Sequence, residues 1–118
     1  YRFIMGDLAP TQERRTHPRI RVRLESQLTT PAGVVRGHLL DLSATGAYVS
    51  TPRHLPVGTG VHLSIPRGAA RNPLELDAEV VRVGNPREGR ISGLGLRFTG
   101  LSPLETELLQ AMLTSAAA

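Results

Sequence analysis

Five of the fourteen arginines in this 118-residue chain lie within one short stretch, ERRTHPRIRVR, residues 13–23. With Glu13 counted against them, the stretch carries a net charge of +4, which equals the formal net charge of the whole chain. Clustered guanidinium groups can neutralise phosphate oxygens, because they displace the counterions that phosphates hold. A phosphate-bearing partner is therefore the first chemistry to consider. A polymeric nucleic acid is poorly supported, since only 3% of the residues are aromatic and single-strand binding proteins stack bases on aromatic side chains.

A second polar cluster is the sequence DLSATG, residues 41–46. By itself this sequence is typical of a turn in which Asp or Ser side chains bond to the backbone. A hydrolase built on Asp41, Ser43 and a histidine would also need a nucleophile elbow or an oxyanion site, and the sequence offers neither. The histidines are spread along the chain without the spacing of metal ligands: His17, His38, His54 and His62. We therefore expect no catalytic residues, no metal and no cofactor.

The elements that position these residues follow from the apolar pattern. Four segments alternate between apolar and other residues, which predicts β-strands near residues 20–28, 61–65, 74–80 and 94–98. Two further strands are expected near residues 34–40, after a turn with Pro31 and Gly33, and near residues 47–50. The alternation slips at Val80 and Val81, and this slip predicts a bulge or a strong bend. Because closing a sheet removes its exposed edges, the expected fold is all-β dominated, a six-stranded antiparallel β-barrel.

The C-terminal residues change from a strand pattern to a helix pattern. Ser102 is predicted as the N-cap of an α-helix, with Pro103 in the first position and Glu105 completing a capping box. One apolar stripe is expected to pack on the barrel or on a partner, and its members are Leu104, Leu108, Ala111 and Met112. The barrel is therefore expected to carry a C-terminal α-helix.

Composition sets the domain organisation and the expected location. Residues 1–12 are predicted to be a flexible N-terminal arm or a tag remnant, and residues 13–118 a single domain. The chain has no cysteine, which excludes a disulfide framework and a thiolate metal site and is compatible with the cytoplasm. No segment reaches the roughly 20 apolar residues that a membrane-spanning helix needs. We expect a cytoplasmic protein without a membrane span.

Two motifs, in this order, resemble the signature of the PilZ domain family, whose members are receptors for cyclic di-GMP. The first is RxxxR, from Arg15 to Arg19, directly before the first strand, and the second is DxSxxG, formed by Asp41, Ser43 and Gly46. The sequences GAYVS, LPVGTGVHLSIP, LDAEVVRV and GLGLRFTGLS extend the resemblance over about residues 13–113. The resemblance implies a six-stranded barrel that binds the cyclic dinucleotide and performs no catalysis.

The resemblance also implies which residues bind the ligand: Arg14, Arg15 and Arg19 on a mobile arm, and Asp41, Ser43 and Gly46 on the barrel. An arginine fork can bind phosphate oxygens, or the O6 and N7 edge of guanine, through two parallel hydrogen bonds. A carboxylate such as that of Asp41 can accept hydrogen bonds from guanine N1–H and N2–H, and the Ser43 hydroxyl can donate or accept. Gly46 is expected to allow a positive φ and a close backbone approach.

The position of Arg14 bears on the number of ligands. In proteins that resemble this one, an arginine directly before the RxxxR motif accompanies two stacked cyclic di-GMP molecules, whereas an apolar residue accompanies one. A guanidinium at this position can neutralise part of the added phosphate charge and stack on a guanine. The other interpretation is that Arg14 only extends a solvated basic stretch.

The implied mechanism of signalling is a conformational change. An arm that folds over a bound dianion changes the surface that the protein offers to a downstream protein partner. Two alternatives stay open at this point. One is a PilZ-like protein-interaction domain that does not respond to the nucleotide, and the other is general nucleic-acid binding through the basic arm.

Overall fold

The computed structural model of the chain describes residues 19–68, 71–89 and 91–117 and shows a closed antiparallel β-barrel with one C-terminal helix. The strands are β1 (Arg19–Thr30), β2 (Gly33–Ser43), β3 (Gly46–Ser50), β4 (Gly60–Ile65), β5 (Leu74–Gly84) and β6 (Gly93–Phe98). A 3-10 helix covers Pro86–Glu88, and α1 covers Pro103–Ala117. The predicted fold is confirmed. The predicted N-terminal arm, Arg14 and Arg15 lie outside the described residues. The prediction that Arg19 belongs to a mobile arm is wrong, because Arg19 is the first residue of β1 and pairs with Ser43 on β2.

The strand order around the barrel is β1–β2–β3–β6–β5–β4, and β4 closes the barrel by pairing with β1. Each strand alternates between a face that points into the barrel and a face that points outward. The interior holds the large aliphatic side chains that are almost fully buried: Leu28, Leu39, Leu42, Val49, Leu63, Ile65, Leu76, Val80 and Leu94. The charged side chains of the same strands lie on the outer face of the barrel.

The predicted bulge in β5 is confirmed. Val80 pairs with Leu96, but Arg82 pairs with Gly95, so Val81 is the additional residue. The side chain of Val81 is consequently 45% exposed although it is apolar. Because a bulge changes the direction of the side chains that follow it, it determines where Arg82 points.

The predicted start of the helix is confirmed by its capping box. The Ser102 N–H donates to Glu105 Oε1 at 2.9 Å, and the Glu105 N–H donates to Ser102 Oγ at 3.1 Å. The predicted apolar stripe is wrong in part, because Leu104 is 63% exposed and the core receives Leu109 and Leu113. Only Leu108 and Met112 of the predicted stripe pack against the core, at its border, whereas Ala111 is exposed.

The reason for this difference lies in two adjacent apolar pairs, Leu108–Leu109 and Met112–Leu113. Neighbouring residues of a helix point about 100° apart, so the pairs create two overlapping apolar stripes with the same period. Periodicity cannot choose between these stripes. The packing of α1 against the barrel selects the stripe with Leu109 and Leu113.

A charged cluster on β4 and β5 lies outside the motifs. His62 Nδ1 lies 2.9 Å from Asp77 Oδ1, and His62 Nε2 lies 2.6 Å from Glu75 Oε1. The hydrogen bonds to Asp77 and then Glu75 raise the pKa of His62 above its ordinary value of 6.5, and burial opposes this only in part. A protonated imidazole can donate to both carboxylates at once, whereas a neutral imidazole has a single N–H.

We expect this cluster to make the stability of the barrel depend on pH. Since the pKa of His62 is raised in the folded state, its contribution is fully present below the unfolded pKa and is lost as the pH rises through the folded pKa. Between about pH 6 and about pH 9, wild type should therefore lose more unfolding free energy than His62→Gln. Urea denaturation at both pH values measures the two losses, and equal losses would contradict the assignment.

Candidate functional site

The structure brings residues of both motifs together on the outer face of the barrel. In the register of β1 and β2, Arg19 pairs with Ser43, and Arg21 pairs with Asp41. Arg19 Nη1 lies 3.9 Å from Asp41 Oδ2, and the two side chains are 39% and 28% exposed. The last arginine of RxxxR is therefore adjacent to the aspartate of DxSxxG, and both can be reached from solvent.

Ser43 holds the turn between β2 and β3. Its Oγ accepts hydrogen bonds from the N–H groups of Thr45 and Gly46, both at 3.2 Å. The same oxygen lies 3.3 Å from Thr45 Oγ1 and 3.3 Å from the Gly46 carbonyl oxygen, and its single proton can go to one of them at a time. Ser43 is buried, so these bonds fix the shape of the turn. A direct contact between Ser43 and a ligand stays a prediction.

Gly46 differs from expectation in one respect. Gly46 is the first residue of β3 and its φ is not positive, so the expectation of a positive φ is wrong. The expected close approach of two backbones is present, because a Cβ at Gly46 would collide with the Leu96 carbonyl oxygen on β6. The glycine is therefore required where two strands meet, not for the turn.

A row of residues on five neighbouring strands extends the site beyond the two motifs. Arg21 on β1 pairs with Asp41 on β2, and Asp41 pairs with Tyr48 on β3. Tyr48 pairs with Gly95 on β6, and Gly95 pairs with Arg82 on β5. Paired residues of neighbouring strands share one face of a sheet. The row thus places two further arginines and a tyrosine on the same face of the barrel as Asp41.

Two adjoining pockets lie over this row. The larger has a volume of about 550 Å³, and its lining consists of Arg19, Arg21, Val22, Leu40, Asp41, Tyr48, Arg82 and Ile91. The smaller, of about 320 Å³, lies over the DxSxxG turn and shares with the larger pocket Arg19, Asp41, Tyr48 and Arg82. The larger pocket contains three guanidinium groups and one carboxylate. Such a lining suits an anion that also carries hydrogen-bond donors.

Sequence reasoning did not identify Tyr48 or Arg82 as site residues. The slip in alternation at residues 80–81 was a usable signal for Arg82, because bulges are frequent beside binding sites. No comparable signal marked Tyr48, whose place depends on the register between β2, β3 and β6. Within the described residues, no group of three or more His, Asp and Glu side chains could hold a metal ion.

Comparison with known proteins places these features in context. The sequence model of the PilZ domain matches residues 13–115. No curated protein sequence matches the chain significantly. In the part of the chain that the structure describes, no helix is long and apolar enough to cross a membrane.

Several solved structures have the same fold. The PilZ domain of CeSA from a cellulose-synthesizing bacterium is 22% identical with a TM-score of 0.66, and the match covers 86% of this chain and 99% of that one. The PilZ domain of YcgR from Escherichia coli, solved with c-di-GMP, is 22% identical with a TM-score of 0.70 and coverage of 89% and 92%. The inhibitor of motility MotI/DgrA of Bacillus subtilis is 21% identical, with a TM-score of 0.70 and coverage of 87% and 51%.

Proposed function

The chain belongs to the PilZ domain family, and we propose that it is a non-catalytic receptor for cyclic di-GMP that acts in the cytoplasm. The observation that carries this proposal is the convergence of Arg19 and Asp41. These residues come from two separate motifs, their side chains lie 3.9 Å apart, and both line a pocket with two further arginines. A relative of the same fold, YcgR, was solved with c-di-GMP.

The chemistry of the pocket supports a guanine dinucleotide in particular. Cyclic di-GMP carries two phosphates, which Arg19, Arg21 and Arg82 can neutralise, and two guanine bases. Arginine can also bind the O6 and N7 edge of a guanine, while Asp41 can accept from its N1–H and N2–H groups. Lysine could not provide the planar fork that these contacts use, and the chain contains only arginine at its basic positions apart from histidine.

The signalling part of the proposal involves Arg14 and Arg15, which lie outside the described residues. In this proposal they fold over the dinucleotide from the side of Arg19 and complete its coordination. The movement changes the surface beside the pocket, and a downstream protein partner reads that change. The dinucleotide can shift the conformation only by as much as it binds the closed state more tightly.

Titration calorimetry with cyclic di-GMP tests the receptor function, with GTP and cyclic di-AMP as comparison ligands. We expect micromolar or tighter binding of cyclic di-GMP, and Arg15→Ala should weaken it about tenfold or more, because a charge-assisted contact contributes about 1.5–3 kcal/mol. Arg53→Ala, a change of an exposed arginine that lines neither pocket, is the matched control.

Failure of wild type to bind would reject the receptor function. The protein would then be an interaction domain of the same family that does not respond to the nucleotide. Equal binding of a random DNA duplex would instead favour general nucleic-acid binding through the basic arm.

We propose that each chain binds two stacked cyclic di-GMP molecules. Two dinucleotides bring four phosphate charges into a small volume, and Arg14 adds a guanidinium that can neutralise charge and stack on a guanine. Calorimetry at protein concentrations far above the dissociation constant should give a molar ratio of about two for wild type and about one for Arg14→Leu. A ratio of one for both proteins would reject this role of Arg14.

A further inference from the structure

The Tyr48 side chain lies over a part of the barrel surface that is formed by two glycines, Gly84 and Gly93. A Cβ at Gly84 would collide with the Tyr48 hydroxyl, and a Cβ at Gly93 would lie 3.1 Å from Tyr48 Cε2. The ring therefore lies across β6 toward the end of β5. Tyr48 is only 9% exposed although it points outward from the barrel.

Arg82 lies on the same surface. A Cβ at Gly95 would be 3.2 Å from Arg82 Cβ, 3.4 Å from its Nε and 3.7 Å from its Nη2. The side chain thus runs along Gly95. Its Cζ lies 5.9 Å from the centroid of the Tyr48 ring, within the range of a cation–π interaction. The glycine and the ring together restrict where the guanidinium can go.

A hydrogen bond restrains the Tyr48 ring. The Tyr48 hydroxyl donates to the carbonyl oxygen of Ile91, in the connection between β5 and β6. Rotation of the ring away from the surface would break this part-buried bond and leave a polar group without its partner. Tyr48, Ile91 and Arg82 all line the pocket of about 550 Å³.

From these contacts we propose that Tyr48 is a positioning residue, whose ring holds the Arg82 guanidinium in place for an anionic ligand. Gly84, Gly93 and Gly95 make room for the two side chains. A free arginine side chain loses conformational entropy when a ligand immobilises it, and this loss opposes binding. In this protein, the contacts with Tyr48 and Gly95 restrict the Arg82 side chain before any ligand binds, so less entropy is lost on binding. The inference rests on the proposed function only for the identity of the ligand.

The first test needs no ligand. In nitrogen-15 spectra, the Arg82 Nε–H of wild type should show a ring-current shift and reduced side-chain motion, with the signal assigned by its loss in Arg82→Lys. Tyr48→Leu should move this signal to the position of an unrestrained arginine, whereas Tyr48→Phe, which keeps the ring, should retain the shift. An Arg82 signal that is already unrestrained in wild type would overturn the proposal.

The second test is a double-mutant cycle on the affinity for cyclic di-GMP. Tyr48→Leu should weaken binding about threefold to tenfold in the wild-type background and hardly at all in the Arg82→Ala background, because its effect passes through Arg82. Tyr48→Phe, which keeps the ring, should retain most of the wild-type affinity for cyclic di-GMP. Equal weakening in both backgrounds would show a merely structural role and overturn the proposal.

Failure of the proposed function is distinguishable from failure of this inference. If wild type does not bind cyclic di-GMP, the receptor function is rejected, and the spectra alone decide whether Tyr48 positions Arg82. Thermal unfolding of each variant verifies that the barrel is folded at the temperature of measurement. Tyr48→Phe also loses the bond to Ile91, so a loss of thermal stability that both Tyr48 variants share is assigned to that bond. The Arg82 signal then reports the contact between the ring and the guanidinium.

Discussion

Replacing Gly46 by alanine should lower the free energy of unfolding by about 3 kcal/mol, the upper end of the range for inserting atoms into a well-packed site. The added Cβ would collide with the Leu96 carbonyl oxygen on β6, and that oxygen belongs to the backbone. A flexible side chain could move aside, but the carbonyl can move only if β3 and β6 separate. The strain therefore falls on the pairing of two strands that form the wall of the barrel.

Gly60→Ala is the matched control for this prediction. Gly60 is also the first residue of a strand, and no atom outside its chain neighbours lies within 4 Å of the position of its Cβ. Its substitution should change the unfolding free energy by less than about 1 kcal/mol, because only the glycine entropy term changes. Urea denaturation of both variants and wild type measures the difference. Similar stabilities of Gly46→Ala and Gly60→Ala would contradict the structural role of Gly46.

This role changes how variants of the DxSxxG motif should be interpreted. Gly46 separates two backbones, and Ser43 holds the turn through bonds to Thr45 and to Gly46 itself. Loss of ligand binding in a variant of either residue would follow from a distorted barrel face even without a direct ligand contact. Of the three motif residues, Asp41 alone has a side chain that is partly exposed in the pocket. Affinity measurements on Asp41 therefore report recognition most directly.

The fold could be predicted from the sequence because its signals are local. Strand alternation, the slip at Val80 and the capping box of Ser102 and Glu105 each depend on residues close together in the chain. The helix face could not be predicted, since Leu108 and Leu109 satisfy the same period and only packing against the barrel distinguishes them. Local patterns thus determined the elements, and tertiary contacts determined which faces of them meet.

The candidate site also contains some residues that could be predicted from the sequence and some whose contacts could not. Arg19 and Asp41 could be predicted because each belongs to a recognisable motif. The slip at Val80 and Val81 was a usable signal for Arg82, but its proximity to Tyr48 could not be predicted. That proximity depends on a register that joins three strands and on a glycine at position 95. A glycine between two strands carries no sequence signal for a binding site. Only the structure shows that the Arg82 side chain lies along Gly95.

Replacing Asp41 by alanine should weaken cyclic di-GMP binding about tenfold to a hundredfold, corresponding to about 1.5–3 kcal/mol for hydrogen bonds to a charged group. Two effects of this substitution have opposite signs. Removal of the carboxylate leaves Arg19 without its neighbour at 3.9 Å and makes the pocket more positive, so attraction for phosphate alone should increase. Loss of the acceptor for guanine N1–H and N2–H should decrease the affinity for guanine nucleotides.

The sign of the change therefore identifies the role of Asp41. Recognition of guanine predicts that Asp41→Ala lowers the affinity for cyclic di-GMP but not that for cyclic di-AMP, whose bases lack the guanine N1–H and N2–H donors, so the ratio of the two affinities falls toward one. Glu107→Ala, at an exposed position of α1, removes the same charge far from the motifs in sequence and should leave the ratio unchanged. Calorimetry with both dinucleotides measures this ratio of affinities. Equally tighter binding of both ligands to Asp41→Ala would mean that Asp41 only moderates the charge of the arginines, because loss of base recognition would have changed the ratio of the two affinities.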